Sequence, residues 1–185
     1  DANDGNVGDS LLCTATATDS DQESAISTAS VTVENTAPIV SNVQVSRSSG
    51  NDYNDDVLTC SADVEDVDEN ISNTGYIWML GSNQIGIGDT LDLSQTSVMP
   101  ADEVVCKVQT MDDNFEAAED TSSATIANRA PEISAATIDE TNPYANSTIA
   151  CSSSVTDADG ESLSATYEWT NGTAVLGSSA SLTLK

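Results

Sequence analysis

The residues best suited to do chemistry in this chain are short acidic runs, most of them Asp-x-Asp. They recur at four places, each time next to a stretch in which apolar and polar residues alternate. Aspartates at alternate positions of a turn can supply the hard oxygen ligands that calcium takes, about six to eight of them. The candidate calcium ligands are Asp19, Asp21, Glu23, Asp66, Asp68, Glu69, Asp112, Asp113, Asp157, Asp159 and Glu161.

A solvated acidic surface is the alternative explanation for the same loops. The chain has 31 acidic and 4 basic side chains and a formal net charge of −27. Such a surface suits a salt-rich environment as well as calcium, so both interpretations stay open. The EF-hand loop pattern with its terminal glutamate is missing. The same charge argues against nucleic acid or an anionic membrane surface as a partner.

The sequence lacks the residue combinations that most hydrolytic enzymes need. There is no histidine, so no Ser-His-Asp or Cys-His arrangement can form. Paired carboxylates can serve a glycosidase. Here, however, they lie in loops that recur along the chain, and an active site is rarely repeated along a rod. We therefore expect that the protein is not an enzyme.

Two stretches with a period of two must position these loops in the middle of the chain. Around Cys60 and around Cys106, every second residue is small or apolar, and polar residues fill the positions between them. This alternation predicts strands with one buried and one solvent-exposed face. Trp78 lies between the two stretches, inside the short apolar run 76–80.

Two cysteines on inward faces of different strands, with a tryptophan between them, resemble the immunoglobulin-like sandwich. In that family strands B and F carry a disulfide and a tryptophan of strand C packs on it. The resemblance therefore implies an all-β fold with a Cys60–Cys106 bridge covered by Trp78. Antibody domains carry a tyrosine two residues before the second cysteine, where this chain has Val104. That difference favours the bacterial Ig-like, cadherin-like or PKD-like sandwiches.

The sequence repeats itself with a period of about 92 residues. The linker motif Asn-Thr-Ala-Pro at 35–38 returns as Asn-Arg-Ala-Pro at 128–131, 93 positions later. Three further pairs are spaced by 93 or 91 positions: Cys13 and Cys106, Cys60 and Cys151, Trp78 and Trp169. Proline fixes φ and removes a donor, which makes each linker short and stiff. We expect tandem immunoglobulin-like antiparallel β-sandwiches, end to end.

Three domain segments follow from this period. Residues 1–37 would carry strands F and G of one unit, residues 38–130 a complete unit, and residues 131–185 strands A to about E of a further unit. Two arrangements fit this frame. The chain is an out-of-frame excerpt of a long tandem array, or separate chains complete one another head to tail and form a filament. Both predict a string of sandwiches.

Four cysteines at matched positions indicate a disulfide framework in an oxidising compartment. Zinc is disfavoured because there is no CxxC motif and no histidine. By analogy with the middle unit, Cys13 and Cys151 would each pair with a cysteine of a neighbouring unit or chain. We expect an extracellular or cell-surface protein.

Three Asn-x-Ser/Thr sequences in predicted loops or turns are candidate N-glycosylation sites. Chance matches are expected in a chain this rich in Asn, Ser and Thr. The three sites begin at Asn70, Asn146 and Asn171.

These features predict a structural repeat module of an extracellular filament, stalk or surface fibre, stabilised by disulfides and rigidified wherever its acidic loops bind calcium. The expected partners are copies of the chain or adjacent repeats, head to tail. The alternative is an adhesin-type binding module for a cell-surface or glycan partner, which would need divergent, aromatic-rich loops at one pole. No apolar run is long enough to cross a bilayer, so we expect no membrane insertion.

Overall fold

The computed structural model describes residues 5–185, and its first segment, up to residue 37, is a single hairpin. The hairpin pairs β1 (Ser10–Thr18) with β2 (Ser24–Thr32) in antiparallel register. Every residue of both strands is exposed to solvent. The alternation of apolar and polar residues thus gives the predicted strands, but nothing in the described part of the chain covers their apolar face.

The middle segment, residues 38–130, is a β-sandwich of two antiparallel sheets, which confirms the predicted fold class. One sheet has the order β3-β4-β7 and the other the order β6-β5-β8-β9. The strands are β3 (Ile39–Arg47), β4 (Val57–Glu65), β5 (Ile71–Leu80), β6 (Asn83–Ile87), β7 (Thr90–Asp92), β8 (Glu103–Asp112) and β9 (Ala117–Thr125). We call this segment the middle sandwich.

The core of the middle sandwich lies between the inward faces of the two sheets. The predicted disulfide between Cys60 and Cys106 is present and joins β4 in one sheet to β8 in the other. Trp78 is fully buried, stands opposite Cys106 in the β5–β8 pair, and donates from Nε1 to the Gly88 carbonyl at 2.9 Å. The buried core consists of Leu58, Cys60, Trp78, Leu91, Leu93, Val98, Val104, Cys106, Val108, Ala124 and Ile126.

One core residue lies in a different element from the one that its sequence pattern predicts. The alternation of Leu91 and Leu93 predicts a strand through both, but the strand ends at Asp92 and Leu93 opens a three-residue 3-10 helix, Leu93–Gln95. The Asp92 carboxylate accepts from the Ser94 amide at 3.0 Å and caps this turn. Leu93 stays buried all the same. This turn is the only helix in the described part of the chain and is far too short to span a bilayer.

The third segment, residues 131–185, consists of short strands with little core. Its sheets have the orders β10-β13, β11-β12-β16 and β14-β15, and Ile149 is its one buried apolar residue. The predicted Asn171-Gly172 turn joins β14 to β15. The strands are β10 (Glu132–Ile133), β11 (Thr137–Ile138), β12 (Thr148–Ser152), β13 (Val155–Thr156), β14 (Trp169–Asn171), β15 (Ala174–Gly177) and β16 (Ser181–Thr183).

One strand pair in each outer segment has the register of a strand pair of the middle sandwich, displaced along the chain by a fixed number of residues. The hairpin β1–β2 has the register of β8–β9, shifted by 93 positions, and β12–β16 has the register of β4–β7, shifted by 91. The Trp169 Nε1 also donates to the Ser179 carbonyl, as Trp78 does to Gly88. The matching pairs include Ser10↔Thr32 with Glu103↔Thr125, and Ile149↔Leu182 with Leu58↔Leu91.

Candidate functional site

The two linkers are each held by the Asp-x-Asp turn of the segment that follows them. The Thr36 amide donates to Asp68 Oδ2 at 2.6 Å, and the Arg129 amide donates to Asp159 Oδ2 at 2.5 Å. Within each turn, the first aspartate accepts from the amide of the second at 2.7 Å. The first carboxylate therefore shapes the turn, and the second ties it to the linker.

At the second linker, the side chain of Arg129 connects three parts of the chain. Its Nε donates to Asp159 Oδ1 at 2.8 Å, and its guanidinium also reaches Asp55 Oδ2 at 3.0 Å and Asn54 Oδ1 at 3.1 Å. The guanidinium carbon lies 4.6 Å from the centre of the Tyr53 ring, a cation–π distance. We call this set, Tyr53, Asn54, Asp55, Arg129 and Asp159, the Arg129 joint.

Charge pairing explains why the Arg129 joint holds together. The Asp159 side chain has no exposed surface, and a buried carboxylate is stable only when it is paired and hydrogen-bonded. The hydrogen bonds from Arg129 to Asp55 and then to Asp159 raise the pKa of the guanidinium above its ordinary value. Asn54 Nδ2 also donates to the Asp159 carbonyl at 2.7 Å. The loop 48–56 of the middle sandwich is thereby fastened directly to the third segment.

The first linker makes a different set of contacts, which we call the Asn35 joint. Asn35 Nδ2 donates to Asp112 Oδ2 at 2.8 Å, and Asn70 Nδ2 donates to Asn35 Oδ1 at 3.2 Å. Burial of Asp112 raises its pKa, but hydrogen bonds from Asn35 and from the amides of Glu116 and Asn114 outweigh it, so the net shift is downward. The joint consists of Asn35, Thr36, Asp66, Asp68, Asn70 and Asp112.

No basic side chain in the described residues forms an ion pair with the Asn35 joint. Thr36 stands where the second linker has Arg129, and the other paired basic residues, Arg47 and Lys107, bind acids elsewhere in the middle sandwich. Two oxygen atoms are also buried without a hydrogen-bond partner, Asp66 Oδ2 and Asn70 Oδ1. This joint has the carboxylates of the Arg129 joint but not its positive charge.

The candidate calcium ligands fall into three groups. Carboxylate oxygens of Asp157, Asp159 and Glu161 lie within 4.8 Å of one another, although both Asp159 oxygens already accept from Arg129. A second group lies at or beside the Asn35 joint, and a third lies at a hairpin tip. In the second group, Asp66, Asp68 and Asp112 belong to the Asn35 joint, and Glu69 and Asp113 are its exposed neighbours. The third group, Asp19, Asp21 and Glu23, forms the tip of the β1–β2 hairpin, away from both joints.

The three candidate glycosylation sites differ in exposure. Asn146 and Asn171 are exposed. The Nδ2 of Asn70 donates to Asn35 at 3.2 Å and to Asn114 at 3.3 Å, so a glycan on that atom would displace contacts of the Asn35 joint.

Sequence reasoning did not identify Arg129, Asn35 or Asn54 as functional residues. Arg129 had a visible signal, because it is one of only 4 basic residues in the chain and breaks the agreement between the two linker motifs. Asn35 and Asn54 had none, since asparagine is common in every loop here.

Comparison with known proteins adds no family to this description. No protein-family model matches the chain, and the search of curated proteins returned no match.

Proposed function

We propose that this chain is a structural repeat module of an extracellular filament, stalk or surface fibre. A fibre built from small sandwiches needs joints that hold one unit at a fixed angle to the next. The observation that carries the proposal is the Arg129 joint, in which one side chain fastens the linker, the loop 48–56 and the third segment together. The recurrence of the same strand registers at constant offsets supports a repeated unit.

The disulfide supports an extracellular location. Cys60 and Cys106 are 46 positions apart, and the chain-entropy estimate for a loop of this length is about 4 kcal/mol of stabilisation. Such a bond persists in oxidising compartments and is rare in the cytosol. The middle sandwich, with one tryptophan in its core, gains a large part of its stability in this way.

Calcium bound at the Asn35 joint would supply the positive charge that Arg129 supplies at the Arg129 joint. Asp66 Oδ2 and Asn70 Oδ1 are buried and unpartnered, and carboxylate and amide oxygens are ligands that calcium takes. Asp68 and Asp112 would complete the set of acidic residues there. The tighter triplet of Asp157, Asp159 and Glu161 fits an ion less well, because Arg129 already neutralises Asp159.

An adhesin-type binding module is the alternative function. Phe115 is 83% exposed at the tip of the β8–β9 hairpin, and Val67 is 78% exposed in the loop after β4. The Asp113 amide donates to the Asn70 carbonyl at 3.0 Å, so these two loops share one pole of the middle sandwich. A cell-surface or glycan partner would meet Phe115 and Val67 first.

The test of the structural function is the stiffness of the second linker. Arg129→Thr gives this linker the residue that the first linker has, and we expect small-angle X-ray scattering to show a broader range of molecular dimensions. Lys107→Thr is the matched control, since it removes the ion pair to Glu119 inside the middle sandwich. If both variants scatter as the wild type does, the joint does not set the geometry and the proposal is wrong.

A further inference from the structure

We propose that two copies of this chain associate side by side through the outer face of the four-stranded sheet β6-β5-β8-β9, related by a two-fold axis. The contact goes beyond the proposed function, because it joins two chains laterally and not end to end along a fibre. It uses residues of the middle sandwich alone. Three features carry it: an apolar outer face, a hollow beside a protruding side chain, and a low local charge.

The outer face of this sheet is apolar. Trp78 and Cys106 point into the core, so their neighbours along β5 and β8 point to solvent. Apolar side chains of β5, β6 and β8 lie on this outer face, and Ile87 is 75% exposed. They are Ile77, Met79, Ile87, Val105 and Met111. An antiparallel sheet with one solvated face usually alternates apolar-in and polar-out, so this face departs from the rule.

The other sheet of the middle sandwich follows the rule. β4 buries Leu58 and Cys60 and turns Thr59, Ser61 and Asp63 outward. Both sheets close over one core, so the apolar outer face is not one side of an unfinished core. Its exposed apolar side chains therefore indicate a contact surface.

A hollow and a protruding side chain lie next to each other on this face. A Cβ at Gly75 would have no heavy atom of the described chain within 4 Å beyond its own chain neighbours. Gly75 and Ile87 line one groove of about 450 Å³. Ile87 pairs with Ile77, two residues along β5 from Gly75. A two-fold axis between them would put each Ile87 into the hollow of the other copy, which is the self-complementary contact of an isologous dimer.

The hollow and the protruding side chain are both specific to the middle sandwich. At the offset of 91 positions that relates Trp78 to Trp169, Thr166 stands where the hollow is and Ser178 stands where Ile87 is. The repeat keeps the core tryptophan but requires neither feature. Their joint presence in one unit therefore points to a contact that this unit makes.

Charge favours a second copy as the occupant. The chain carries a net charge of −27, so most contacts between two copies would place carboxylates against carboxylates. The outward positions of β5, β6 and β8 hold one acid and one base, Glu103 and Lys107. β9 adds Glu119, which pairs with Lys107. Two copies therefore repel each other weakly here, whereas a basic partner would be attracted to the acidic loops instead.

The size of the outer face predicts a weak dimer. Four strands about 4.8 Å apart and about 25–30 Å long offer roughly 500 Å² per copy. A standard interface buries about 800 Å² per partner, so we expect a Kd weaker than about 1 µM. Each copy keeps its other negative charges, so association should strengthen by about ten-fold between about 0.01 M and about 0.15 M salt. Over that range the screening length falls from about 30 Å to about 8 Å.

Sedimentation equilibrium of the full chain in reducing buffer tests the association. We expect the average mass to rise from 19.1 kDa toward twice that value as the chain concentration increases from about 10 µM to about 1 mM. Larger oligomers would contradict the two-fold contact, because it closes at two copies. A monomer throughout this range would overturn the proposal and leave the face to a foreign protein or a glycan.

Three substitutions that leave the charge unchanged locate the contact. Gly75→Thr and Ile87→Ser each introduce the residue that the third segment has at the matching position. Filling the hollow should weaken association by about ten-fold or more, and removing the protruding side chain by about five-fold or more. The matched control is Ile39→Ser, since Ile39 is 58% exposed in β3 of the other sheet. It should change association by less than about two-fold.

Thermal melts at low concentration check that the variants fold. Threonine is favoured in strands, so Gly75→Thr should melt no lower than wild type while it loses the dimer. Association that survives both Gly75→Thr and Ile87→Ser would show that the contact lies elsewhere. Equal weakening by Ile39→Ser would show the same, and either result would overturn the proposal.

The two lysines of the chain report directly on the contact surface. Lys107 lies on the outer face, and Lys185 lies outside the middle sandwich. As the chain concentration rises, trace acetylation followed by peptide mapping should slow several-fold at Lys107 and stay constant at Lys185. A constant rate at Lys107 in a sample that sediments as a dimer would contradict this interface.

None of these measurements bears on the stiffness of the second linker, so the proposed function can survive the failure of this inference. The reverse also holds, since Arg129→Thr leaves the outer face intact.

Discussion

At the scale of single residues, the two joints differ by one linker position. Thr36 and Arg129 make the same backbone contact with the second aspartate of an Asp-x-Asp turn. Only Arg129 adds a positive side chain to the carboxylates around it. A single substitution therefore decides whether a joint carries its own counter-charge or leaves its acidic groups for an ion from solution.

Gly86 is the residue where the core of the middle sandwich allows least change. A Cβ at this position would lie 2.6 Å from Leu91 Cδ1, and the Trp78 ring closes the other side. We expect Gly86→Ala to lower the free energy of unfolding by about 1–3 kcal/mol, the usual cost of overpacking a core. Urea denaturation followed by tryptophan fluorescence measures the loss.

Gly75→Ala is the control for this prediction. Gly75 lies in β5, the strand that pairs with the strand β6 of Gly86, and a Cβ there meets nothing within 4 Å. The alanine should be tolerated within about 0.5 kcal/mol. Equal losses from both variants would show that replacing a glycine in either paired strand costs stability, and that the contact with Leu91 is not the cause.

The carboxylate of Asp56 should make stability depend on pH. Hydrogen bonds from the Ser48 and Ser49 hydroxyls lower its pKa in the folded chain from an ordinary value of 3.8. A depressed folded pKa stabilises the fold above the unfolded pKa, and this contribution disappears as the pH falls through the folded value. Wild type should melt at a higher temperature than Asp56→Asn near neutral pH. The difference should shrink below about pH 4.

Thermal melts of both proteins between about pH 2 and pH 7 test this, because the comparison removes the effect of the other carboxylates. A difference in Tm that stays constant through the acid range would mean that Asp56 contributes through packing and not through its charge.

At the scale of elements, the disulfide between β4 and β8 is the main link that holds the two sheets together. We expect the Cys60→Ala, Cys106→Ala double variant to lose about 4 kcal/mol of unfolding free energy, because the unfolded chain regains the entropy of an open loop. Equilibrium denaturation measures this. Cys13→Ser is the control and should lie within about 0.5 kcal/mol of wild type, since Cys13 forms no bond within the chain.

The elements that the sequence predicts well are those paired on both sides. The alternation around Cys60 and Cys106 predicts β4 and β8, which lie inside their sheets. The pattern around Trp169 resembles that around Trp78, yet β14 has three residues and β5 has ten. A local pattern shows which face of a strand is apolar, but the length of a strand depends on partners that the pattern does not contain.

The hydrogen-bond partners of single side chains could not be predicted from the sequence, for a related reason. The Asp-x-Asp runs identify the acidic turns, and both turns lie beside a linker. The pattern does not show that Arg129 already occupies the oxygens of Asp159, or that Asp66 Oδ2 has no hydrogen-bond partner at the other joint. Those contacts join positions about 30 to 75 residues apart and exist only after folding.

At the scale of the whole molecule, we expect a calcium response confined to the first joint. For a calcium Kd of about 0.1–1 mM, the range of extracellular modules, about 10 mM calcium should stabilise the fold by about 1.4–2.7 kcal/mol. Asp66→Asn should remove this response, while it keeps the oxygen that shapes the turn. Asp157→Asn is the matched control at the Arg129 joint and should keep it.

Titration calorimetry together with thermal melts, with and without EDTA, measures the response. If calcium neither binds nor raises the Tm of wild type, the acidic loops are a solvated surface. If Asp157→Asn, and not Asp66→Asn, abolishes binding, the ion belongs to the triplet at the second joint.

The most direct test of the central claim is a distance distribution across the Arg129 joint. Spin labels at Thr121→Cys in β9 and Thr173→Cys in the β14–β15 turn, in the Cys13→Ser, Cys151→Ser background, report the distance between the middle sandwich and the third segment. We expect one narrow distance in this protein and a broad distribution after Arg129→Thr. A distribution that is already broad with Arg129 in place would contradict the proposed function, because a joint that bends freely cannot give a fibre its fixed geometry.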